Sequence, residues 1–568
     1  MKHFKKKISD WLSKQQNLYI LFTIILMIPT CLLLYTEEMS IAMRVAYFFL
    51  PLSVYMGLLA MRQKPGIVLL WLSLLLLLGA FQEVLLYLFG NSIIASDMFL
   101  NLFTTSTGEA SELLGNLIPA LILVFFVFFG AIYLAFHSVR IEDRLNANVR
   151  KKSIIIAACS LLIGSIGGVT AKVQGPDENV LLNIYPVNVF YNMKFARESW
   201  HKSKNYRKTS EAFSFQAKSL HPSSDKEIYV LVIGETSRSD NWSLYGYERE
   251  TNPRLSKEKS LVCFTDVVTQ CNATHKSVPL ILSAASADNF EIIYSQKSII
   301  TAFKEAGFKT AFLSNQVPNN TFTDFFSREA DVVELLRGDP LAISDNPLDH
   351  DLLPLLDNFI AKSGSKQFIV LHTYGSHFNY RDRYSGKFRV FVPDNSANLE
   401  YRHRDLLINS YDNSILSTDD FLASVIDKLR NTGAVTCMFY LPDHGEDIMD
   451  DDRHRFLHAS PCPTYYQLHI PLLIWFSDEY NDRYPEAMRN AALHRSAPIS
   501  TRAAFHTMLD LGGITTVYLD SVFSVVSNGF SPRRRSYLND HNLPESLDNC
   551  GLKKEDEAMF KKRGMVFP

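Results

Sequence analysis

The residues most able to do chemistry in this chain are an aspartate and a histidine that stand together where an apolar run ends. Asp443-His444-Gly445 follows the run 435–441, which is typical of a buried strand. A second apolar run, 227–233, leads in the same way through Gly234 into Glu235. Carboxylate oxygens with an imidazole nitrogen suit Zn²⁺, and also Mn²⁺. Glu235, Asp443 and His444 therefore predict a metal site with one position open for a nucleophile.

A hydroxyl group that such a metal could activate lies in the segment 269–279. This segment follows a short apolar strand and precedes an apolar helix. The unpaired N–H groups and dipole of a helix N-terminus favour both an oxyanion and a bound phosphate. Thr269, Thr274 and Ser277 all compete for the role of nucleophile, and each is equally a residue type that caps helices. The residues alone leave this choice open.

From about residue 226 onward, predicted strands alternate with predicted helices. These strands must position the side chains of the proposed site. Continuous apolar strands separated by helices predict an α/β domain with a largely parallel central sheet. Ligands of such sheets bind beyond the carboxyl ends of the strands. The polar segment 414–430 has the charge polarity of a helix, with acidic residues early and basic residues late. The predicted strands are 227–233, 309–314, 367–372, 435–441 and 470–476.

The whole-chain net charge of -2 and the 47% of hydrophobic residues average two unlike halves. Residues 1–172 contain five apolar runs, each close to the ~20 residues that a helix needs to cross a bilayer. The first run is long and four more follow it, which is not typical of a signal peptide. We expect a transmembrane domain over residues 1–172 with five spans. The runs are about 18–35, 42–61, 67–89, 117–137 and 153–171.

The distribution of Lys and Arg predicts the orientation of these spans. The N-terminal segment, the connection 62–66 and the connection 138–152 are basic, whereas the connections 36–41 and 90–116 carry no Lys or Arg. Basic loops stay in the cytoplasm. We therefore expect the N-terminus inside and, after an odd number of spans, the rest of the chain outside. Arg44 is the one discordant residue.

Two segments outside the spans carry further predictions. One connects the last span to the α/β domain, and the other is a loop that joins two spans. Residues 173–225 form a predicted interfacial connector, which leaves residues 226–568 as the catalytic domain. In the outer loop 90–116, Asn101, Thr105 and Glu109 recur every four residues and would share one face of a helix. On spacing alone they are a solvated polar stripe.

The seven cysteines leave the redox question open. Cys31 and Cys159 fall within predicted spans, and Cys437 falls in a predicted buried strand. The other four are either pairing partners in an oxidising compartment or free thiols. They are Cys263, Cys271, Cys462 and Cys550.

Several motifs, which keep their order over about 240 residues, together give the chain a family resemblance. They are the segments 232–236, 243–251, 277–279, 371–377, 411–413, 418–420, 443–446, 457–458 and 470–471. With these motifs the chain is similar to bacterial phosphoethanolamine transferases, inner-membrane enzymes of the alkaline phosphatase/sulfatase superfamily that include the mobile colistin resistance enzymes. The resemblance covers nearly the whole chain.

The resemblance implies a two-step covalent mechanism. The family's nucleophile, counted back from Ser277-Val278-Pro279, falls on Thr274. It would take phosphoethanolamine from phosphatidylethanolamine, release diacylglycerol, and pass the group to lipopolysaccharide, at the core or at lipid A. The family's zinc ligands fall on Glu235, Thr274 itself, Asp443 and His444. The implied cofactor is one tightly bound Zn²⁺, with room for a second and with Mn²⁺ the less favoured metal.

The resemblance also assigns substrate contacts. His377 and His458 match histidines that contact phosphate or a second zinc. Asn101, Thr105 and Glu109 match a set that holds the donor's headgroup, where Glu109 could pair with the ammonium group. The implied location is the Gram-negative inner membrane, with the catalytic domain in the periplasm. We expect a monomer that contacts membrane lipid and no nucleic acid.

Features of the chain favour one branch of the family and leave alternatives. The segments 105–112 and 375–384 resemble the branch that modifies the lipopolysaccharide core, and the cysteine spacing cannot supply the three disulfides of the lipid A branch. A lysine of that branch is replaced here by Asn315-Gln316. The alternative enzyme is a glycerol phosphate transferase like lipoteichoic acid synthase, which uses phosphatidylglycerol. A non-enzymatic sensor would need a broken metal site.

Other residues that could be ligands have simpler interpretations. His372 is expected to be a packed or outer-shell histidine, and His454 and His469 to be surface or packing residues. Glu446 resembles a ligand but is expected outside the ligand set. The run Arg533-Arg534-Arg535 is expected to be a solvated or lipid-facing patch, with contact to an anionic acceptor as the alternative.

Overall fold

A computed structural model describes residues 2–36, 39–89, 96–97, 99, 107–174, 184–337, 346–394, 401–460, 462–547 and 552–565. The chain divides into two compact units. The first comprises Met1–Leu100 and Ala110–Arg197, and the second includes Glu198–Pro568. This division falls within the predicted connector 173–225, whose bounds stay a prediction.

The first unit is helical. Its helices are Lys2–Leu12, Gln15–Thr36, Ile41–Ala60, Pro65–Trp71, Ser73–Phe89, Thr107–Arg140 and Ala147–Gln174, followed by Val187–Lys204, which continues into the second unit.

Three helices of this unit are long and apolar enough to cross a membrane. They are Gln15–Tyr35, Ile41–Ala60 and Ala147–Gln174, and a fourth span results if the bent pair Pro65–Trp71 and Ser73–Gln82 is counted as one. Many of their large apolar side chains are exposed, for example Ile24, Ile155 and Leu162. Side chains of this kind suit contact with lipid rather than water. The described residues thus give three or four candidate spans, and the count of five remains a prediction.

The basic connections meet at one end of the helical unit. The backbone N–H of Gln15 donates to Asp143 Oδ2 at 2.6 Å. The Lys64 ammonium donates to the carbonyl of Val139, and Arg150 donates to the carbonyl of Met61. The start of the first candidate span therefore contacts the last basic connection, which is consistent with the predicted orientation.

The discordant Arg44 has a local role. Its guanidinium donates to the carbonyls of Leu34 and Met39. These carbonyls lie at and just beyond the end of the helix Gln15–Thr36, where the last carbonyls lack partners within the helix. Arg44 therefore caps a neighbouring helix, which explains a cation at this end of the unit.

The second unit is built on a seven-stranded sheet. Its strands in chain order are β1 Glu227–Gly234, β2 Leu261–Phe264, β3 Lys309–Ser314, β4 Val332–Leu335, β5 Lys366–His372, β6 Val435–Pro442 and β7 Leu472–Phe476. Their order across the sheet is β2-β7-β6-β1-β5-β3-β4. The run from β6 to β4 is parallel, whereas β7 is antiparallel to both β6 and β2. The sheet is therefore mixed, with an antiparallel pair at one edge that the sequence did not predict.

The helices of this unit are Tyr206–Thr209, Thr274–Leu282, Ile299–Glu305, Phe322–Ser327, Leu352–Lys362, Arg404–Arg430, Tyr465–Leu468, Asp478–Arg483, Pro485–His494, Ala503–Leu511 and Lys554–Lys562. Four two-stranded ladders pair Lys218–Ser219 with Ile514–Thr515, Val267–Val268 with Ile499–Ser500, Asp447–Ile448 with Phe456–Leu457, and Ser536–Leu538 with Pro544–Ser546.

All five predicted strands are confirmed, and their apolar runs are buried. Every residue of β1 and of β5 is buried, as continuous apolar strands in the middle of such a sheet should be. The predicted helix 414–430 is present but starts ten residues earlier, at Arg404.

Cysteines form no disulfide among the described residues. Cys31, Cys159, Cys263 and Cys437 have free thiols, and Cys271 and Cys462 form no disulfide with another described cysteine. Cys550 lies outside the described residues.

Candidate metal centre and nucleophile

Two neighbouring strands bring the three predicted ligands together. Glu235 follows the end of β1, and Asp443 and His444 follow the end of β6. The two strands are parallel, and Gly234 lies opposite Pro442 in their register. The residues after these positions therefore emerge side by side at the carboxyl edge of the sheet. All three side chains are buried.

The ligand atoms have the separations expected around one small cation. His444 Nε2 lies 3.2 Å from Asp443 Oδ2 and 3.6 Å from Glu235 Oε1. Zinc bonds of about 2.0–2.1 Å at tetrahedral angles place neighbouring ligand atoms about 3.3–3.4 Å apart. The carboxylate and imidazole donors are also of the types that zinc binds, so the residues present fit this metal.

Surrounding hydrogen bonds leave one atom of Asp443 and one of His444 pointing to the centre. Asp443 Oδ1 accepts from the backbone N–H groups of Thr236, at 3.1 Å, and His444, at 2.8 Å. Asp443 Oδ2 is buried and accepts no hydrogen bond among the described residues. His444 Nδ1 lies 2.9 Å from the carbonyl of Gly445 and donates to it, which leaves the Nε2 lone pair for a metal.

The burial of these groups has opposite effects on their pKa values. Burial lowers the pKa of His444 to about 4, which keeps the imidazole neutral and able to bind a metal. Burial, and next the nearby Asp443, raise the pKa of Glu235 well above its usual range. Two buried carboxyl groups this close repel each other when both are ionised. A divalent cation between them would remove that cost.

Thr274 places its hydroxyl at this cluster. It begins the helix Thr274–Leu282 and is only partly buried. Thr274 Oγ1 lies 3.2 Å from His444 Nε2 and 3.4 and 3.5 Å from the two oxygens of Glu235. The hydroxyl thus occupies a fourth position around the same centre, at a helix N-terminus that favours anions.

The two competing hydroxyls have another role. Thr269 Oγ1 and Ser277 Oγ both lie 2.6 Å from the carbonyl oxygen of Asp443 and donate to it. Both side chains are fully buried. They hold the backbone of a ligand residue in place, and of the three candidates only Thr274 contacts the ligand atoms themselves.

Two neighbours fix the backbone of Glu235: a residue in the left-handed conformation directly after it and a glycine that packs against it. Thr236 has φ of 56°, a conformation that is costly for a β-branched residue and that occurs where the surrounding structure enforces it. Gly375 packs against Glu235 so closely that a Cβ atom there would lie 2.6 Å from the Glu235 carbonyl oxygen. The backbone of Glu235 is therefore confined on both sides.

Gln316 orients the Glu235 carboxylate, a role that sequence reasoning missed. Its Nε2 donates to Glu235 Oε2 at 3.1 Å and to the carbonyl of Thr373 at 2.9 Å. The Thr236 hydroxyl donates to the other oxygen, Oε1, at 2.7 Å. The sequence signals were the position of Gln316, two residues beyond the end of a predicted strand, and the replacement of a lysine of the lipid A branch by Asn315-Gln316.

The two further predicted histidines lie beside the cluster. Glu235, His444 and His458 form a set whose ligand atoms all lie within 4.8 Å of one another. The ring of His377 is centred 6.0 Å from that of His458, and its Nδ1 donates to the carbonyl of Phe378 at 2.6 Å. Glu446 approaches His458 Nδ1 at 3.4 Å and accepts from the Tyr380 hydroxyl at 3.0 Å. Glu446 therefore contacts His458 and Tyr380, and its place outside the ligand set stays a prediction.

Burial also shifts the pKa values of Glu446 and His377. It raises the pKa of Glu446 to about 8 and lowers that of His377 well below its usual range. Arg383, whose guanidinium donates to the carbonyl of His377 at 2.9 Å, adds to the second effect. His377 is thus neutral at physiological pH.

The remaining predicted residues lie elsewhere. His372 is buried beside Ser314, and burial lowers its pKa to about 4. His454 is exposed on Tyr401, and His469 is packed against Asp240 and Tyr465. Arg533 and Arg534 are exposed, whereas Arg535 is buried in an ion pair with Asp266. Asn101, Thr105 and the side chain of Glu109 lie outside the described residues.

The hydrogen bond from Gln316 to Glu235 gives a first prediction. Gln316→Leu should weaken zinc binding by about 10- to 100-fold, the usual cost of removing an outer-shell hydrogen bond. Isothermal titration of the metal-free protein with Zn²⁺ measures this directly. Gln296→Leu, the same substitution in the turn before the helix Ile299–Glu305, is the matched control. Equal affinities for the two variants would show that Gln316 does not orient the ligand.

Comparison with known proteins assigns the α/β part of the chain to one family. Residues 227–514, about half of the chain, match the Sulfatase family. The chain belongs to the sulfatase family.

The curated relatives share one activity in their names. Phosphoethanolamine transferase EptA of Salmonella typhimurium is 32% identical over 313 residues, which are 53% of this chain and 56% of the relative. Kdo(2)-lipid A phosphoethanolamine 7''-transferase of Escherichia coli is 30% identical over 298 residues, 51% of this chain and 50% of the relative. The chain spans about half the length of the curated relatives it matches.

Solved structures show the same architecture. The C-terminal periplasmic domain of EcEptC from Escherichia coli, in complex with Zn, superimposes with a TM-score of 0.54 and 27% identity, covering 60% of this chain and 97% of that one. Lipooligosaccharide phosphoethanolamine transferase A from Neisseria meningitidis has a TM-score of 0.69 at 21% identity, covering 89% of this chain and 98% of that one. The second match concerns the fold alone.

Proposed function

We propose that this protein is a zinc-dependent transferase that moves phosphoethanolamine from phosphatidylethanolamine to lipopolysaccharide through a phosphothreonine at Thr274. The observation that carries the proposal is the position of Thr274 Oγ1, 3.2 Å from His444 Nε2 and 3.4 Å from Glu235 Oε1. The names of the curated relatives, and the zinc complex of one related domain, support the same chemistry.

Four residues would hold the metal: Glu235, Thr274, Asp443 and His444. Zinc bound there supplies positive charge that lowers the pKa of a hydroxyl and stabilises a reacting phosphoryl group. One tightly bound ion is proposed. A second would lie beside His377 and His458, and Mn²⁺ is the less favoured alternative.

In the first half of the reaction, Thr274 Oγ attacks the phosphorus of phosphatidylethanolamine. An oxygen–phosphorus bond forms at Thr274 and the bond from phosphorus to the diacylglycerol oxygen breaks. The hydroxyl proton of Thr274 ends on that departing oxygen, so that diacylglycerol leaves neutral. The N-terminus of the helix Thr274–Leu282 favours the negative charge that gathers on the phosphoryl oxygens.

In the second half, an oxygen of the acceptor attacks the phosphothreonine. The new bond joins the acceptor to phosphorus, the bond to Thr274 Oγ breaks, and Thr274 recovers a proton from the acceptor. A covalent intermediate of this kind divides one difficult transfer into two easier ones. The proposed acceptor is a group of lipopolysaccharide, in the core or in lipid A.

The proposed substrate contacts follow the sequence resemblance. His377 and His458 would bind phosphoryl oxygens, since both lie beside the ligand cluster. Asn101, Thr105 and Glu109 would hold the ethanolamine headgroup of the donor, with Glu109 facing its ammonium group.

We also propose the placement of the chain in a Gram-negative inner membrane. Residues 1–172 would cross it five times, residues 173–225 would connect the two parts, and residues 226–568 would form a periplasmic catalytic domain. The apolar helices of the first unit and the shared end of its basic connections support this placement. The proposed protein is a monomer.

The competing function is glycerol phosphate transfer from phosphatidylglycerol, and donor choice separates the two. We expect the full chain in detergent, supplied with Zn²⁺, to release diacylglycerol from fluorescent phosphatidylethanolamine. Its release from phosphatidylglycerol should be lower by at least about tenfold. Phosphatidylglycerol has no ammonium group, so the charged side chain that would bind this group stays unpaired. Leaving it unpaired makes the interaction free energy less favourable by at least about 1.4 kcal/mol.

The lipid assay offers both donors in one mixture, and the zinc-free protein is its control. Release from phosphatidylglycerol alone would move the protein to the glycerol phosphate transferases. Release from neither donor, with zinc bound, would contradict the proposed donor.

A further inference from the structure

A basic groove lies in the second unit, apart from the metal centre. It has a volume of about 850 Å³ and runs between the segment 203–211 and the residues Lys297, Phe325 and Arg328. We call this cavity the basic groove because five cationic side chains line it. They are Lys204, Arg207, Lys208, Lys297 and Arg328.

The five cations of the basic groove have no carboxylate partner within 4.0 Å among the described residues. Elsewhere in the same unit some exposed cations are paired, for example Arg430 with Glu258 and Arg483 with Asp225. Several like charges in one concave surface repel one another and attract anions. Because five such cations line one concave surface, the basic groove favours an anionic ligand.

The two carboxylates at the groove do not neutralise it. Glu329 is held by the hydroxyls of Tyr206, Ser298 and Thr301. Its carboxylate oxygens therefore accept from these neutral hydroxyl groups. Glu211 is exposed and is the one remaining anionic group of the lining. The groove keeps a clear excess of positive charge.

Its place in the chain and its aromatic neighbour favour a lipid ligand. The groove begins at the end of the helix Val187–Lys204, the first described helix after the membrane-spanning candidate Ala147–Gln174. The Lys204 ammonium lies 3.5 Å above the ring of Trp200, which is 40% exposed. Exposed Trp beside Lys and Arg suits the headgroup layer of a bilayer.

We propose that the basic groove binds the phosphodiester of an anionic phospholipid, of the phosphatidylglycerol class, at the membrane surface. Each basic residue near such a surface adds attraction, so five together make a specific anchor. The proposal does not rest on the transferase activity, because the groove contains none of the ligand residues. Binding would hold the catalytic unit at the surface where a lipid substrate is presented.

The test measures lipid retention by the full chain. Native mass spectrometry of the detergent-solubilised protein, titrated with phosphatidylglycerol or phosphatidylcholine, gives an apparent Kd for the first lipid bound. The unaltered chain should prefer phosphatidylglycerol. The triple variant Arg207→Gln/Lys208→Gln/Arg328→Gln should bind phosphatidylglycerol at least about tenfold more weakly. All three side chains are exposed, so folding should be unchanged, which the Tm checks.

A matched control removes the same charge elsewhere in the unit. Lys257→Gln/Arg489→Gln/Lys561→Gln alters three other exposed cations and should leave the affinity within about twofold. Equal losses in both triple variants would overturn the proposal, because the effect would then follow net charge alone. Equal affinity for the two lipids would overturn it as well. Displacement of the lipid by inorganic phosphate at a similar concentration would replace it with a general anion site.

Discussion

Thr274→Ala is expected to abolish release of diacylglycerol from phosphatidylethanolamine, lowering turnover by at least about 10⁴-fold. Removal of a covalent nucleophile eliminates the transition state that it forms, and losses of this size or greater are usual. Because Thr274 is partly exposed and starts its helix without deep packing, the variant should fold as the unaltered chain does. Fluorescent phosphatidylethanolamine in detergent with saturating Zn²⁺ provides the assay.

The variant Ser277→Ala, which removes a neighbouring hydroxyl, provides its control. Ser277→Ala removes one of two hydrogen bonds to the Asp443 carbonyl, and Thr269 retains the other. Its activity should fall by about tenfold or less, in line with a single buried hydrogen bond of about 1–1.5 kcal/mol. A larger loss in Ser277→Ala than in Thr274→Ala would assign the nucleophile to Ser277 instead.

Asp443→Asn is expected to remove zinc from the protein. The substitution keeps a hydrogen-bond acceptor for the backbone N–H groups of Thr236 and His444 but replaces the free oxygen Oδ2 with an amide group. Loss of a direct ligand should weaken affinity by more than the ~10- to 100-fold typical of an outer-shell residue. Metal analysis of the purified protein should give about one zinc per unaltered chain and almost none per variant chain.

Asp412→Asn distinguishes this effect from general destabilisation. Asp412 is also fully buried and accepts from Tyr247, Asn241 and Arg249, away from the ligand atoms. Its replacement should lower the Tm while the zinc content stays near one per chain. Retention of zinc by Asp443→Asn, or its absence from Asp412→Asn alone, would show that the metal lies elsewhere.

The strands and their polar ends could be predicted because local sequence determines them. Val230, Leu231 and their neighbours form an uninterrupted apolar run, which only a buried strand in this fold accommodates. Asp443 follows the next strand of the sheet. The carboxyl edge of parallel strands then places these polar residues together.

The antiparallel edge of the sheet could not be predicted in this way. Leu472–Phe476 is as apolar as its neighbours, and an apolar run carries no sign of strand direction. Direction depends instead on the path of the chain between strands.

The first ten residues of the helix Arg404–Arg430 were missed for a different reason. Asn409, Asp412 and Asn413 lie on it and are buried, although such residues usually mark exposed or irregular segments. Tertiary hydrogen bonds make this possible: Asn413 Oδ1, for example, accepts from the N–H groups of Val390 and Phe391. Partners so distant in sequence leave no periodic pattern.

The same limit applies to the hydroxyl groups of the site. Thr269, Thr274 and Ser277 lie within nine residues of one another, and their residue types are equally suited to nucleophilic attack. Their roles differ because Thr269 and Ser277 point to the Asp443 carbonyl, whereas Thr274 points to Glu235 and His444. Asp443 is far away in sequence, so only the folded structure distinguishes them.

A direct search for the covalent intermediate tests the central claim most sharply. The full chain with bound zinc would be incubated with phosphatidylethanolamine in the absence of acceptor, then denatured in acid and mapped by peptide mass spectrometry. We expect one phosphoethanolamine group on Thr274, which disappears when lipopolysaccharide is added before denaturation. Release of diacylglycerol with Thr274 unmodified, or modification of another residue, would contradict it.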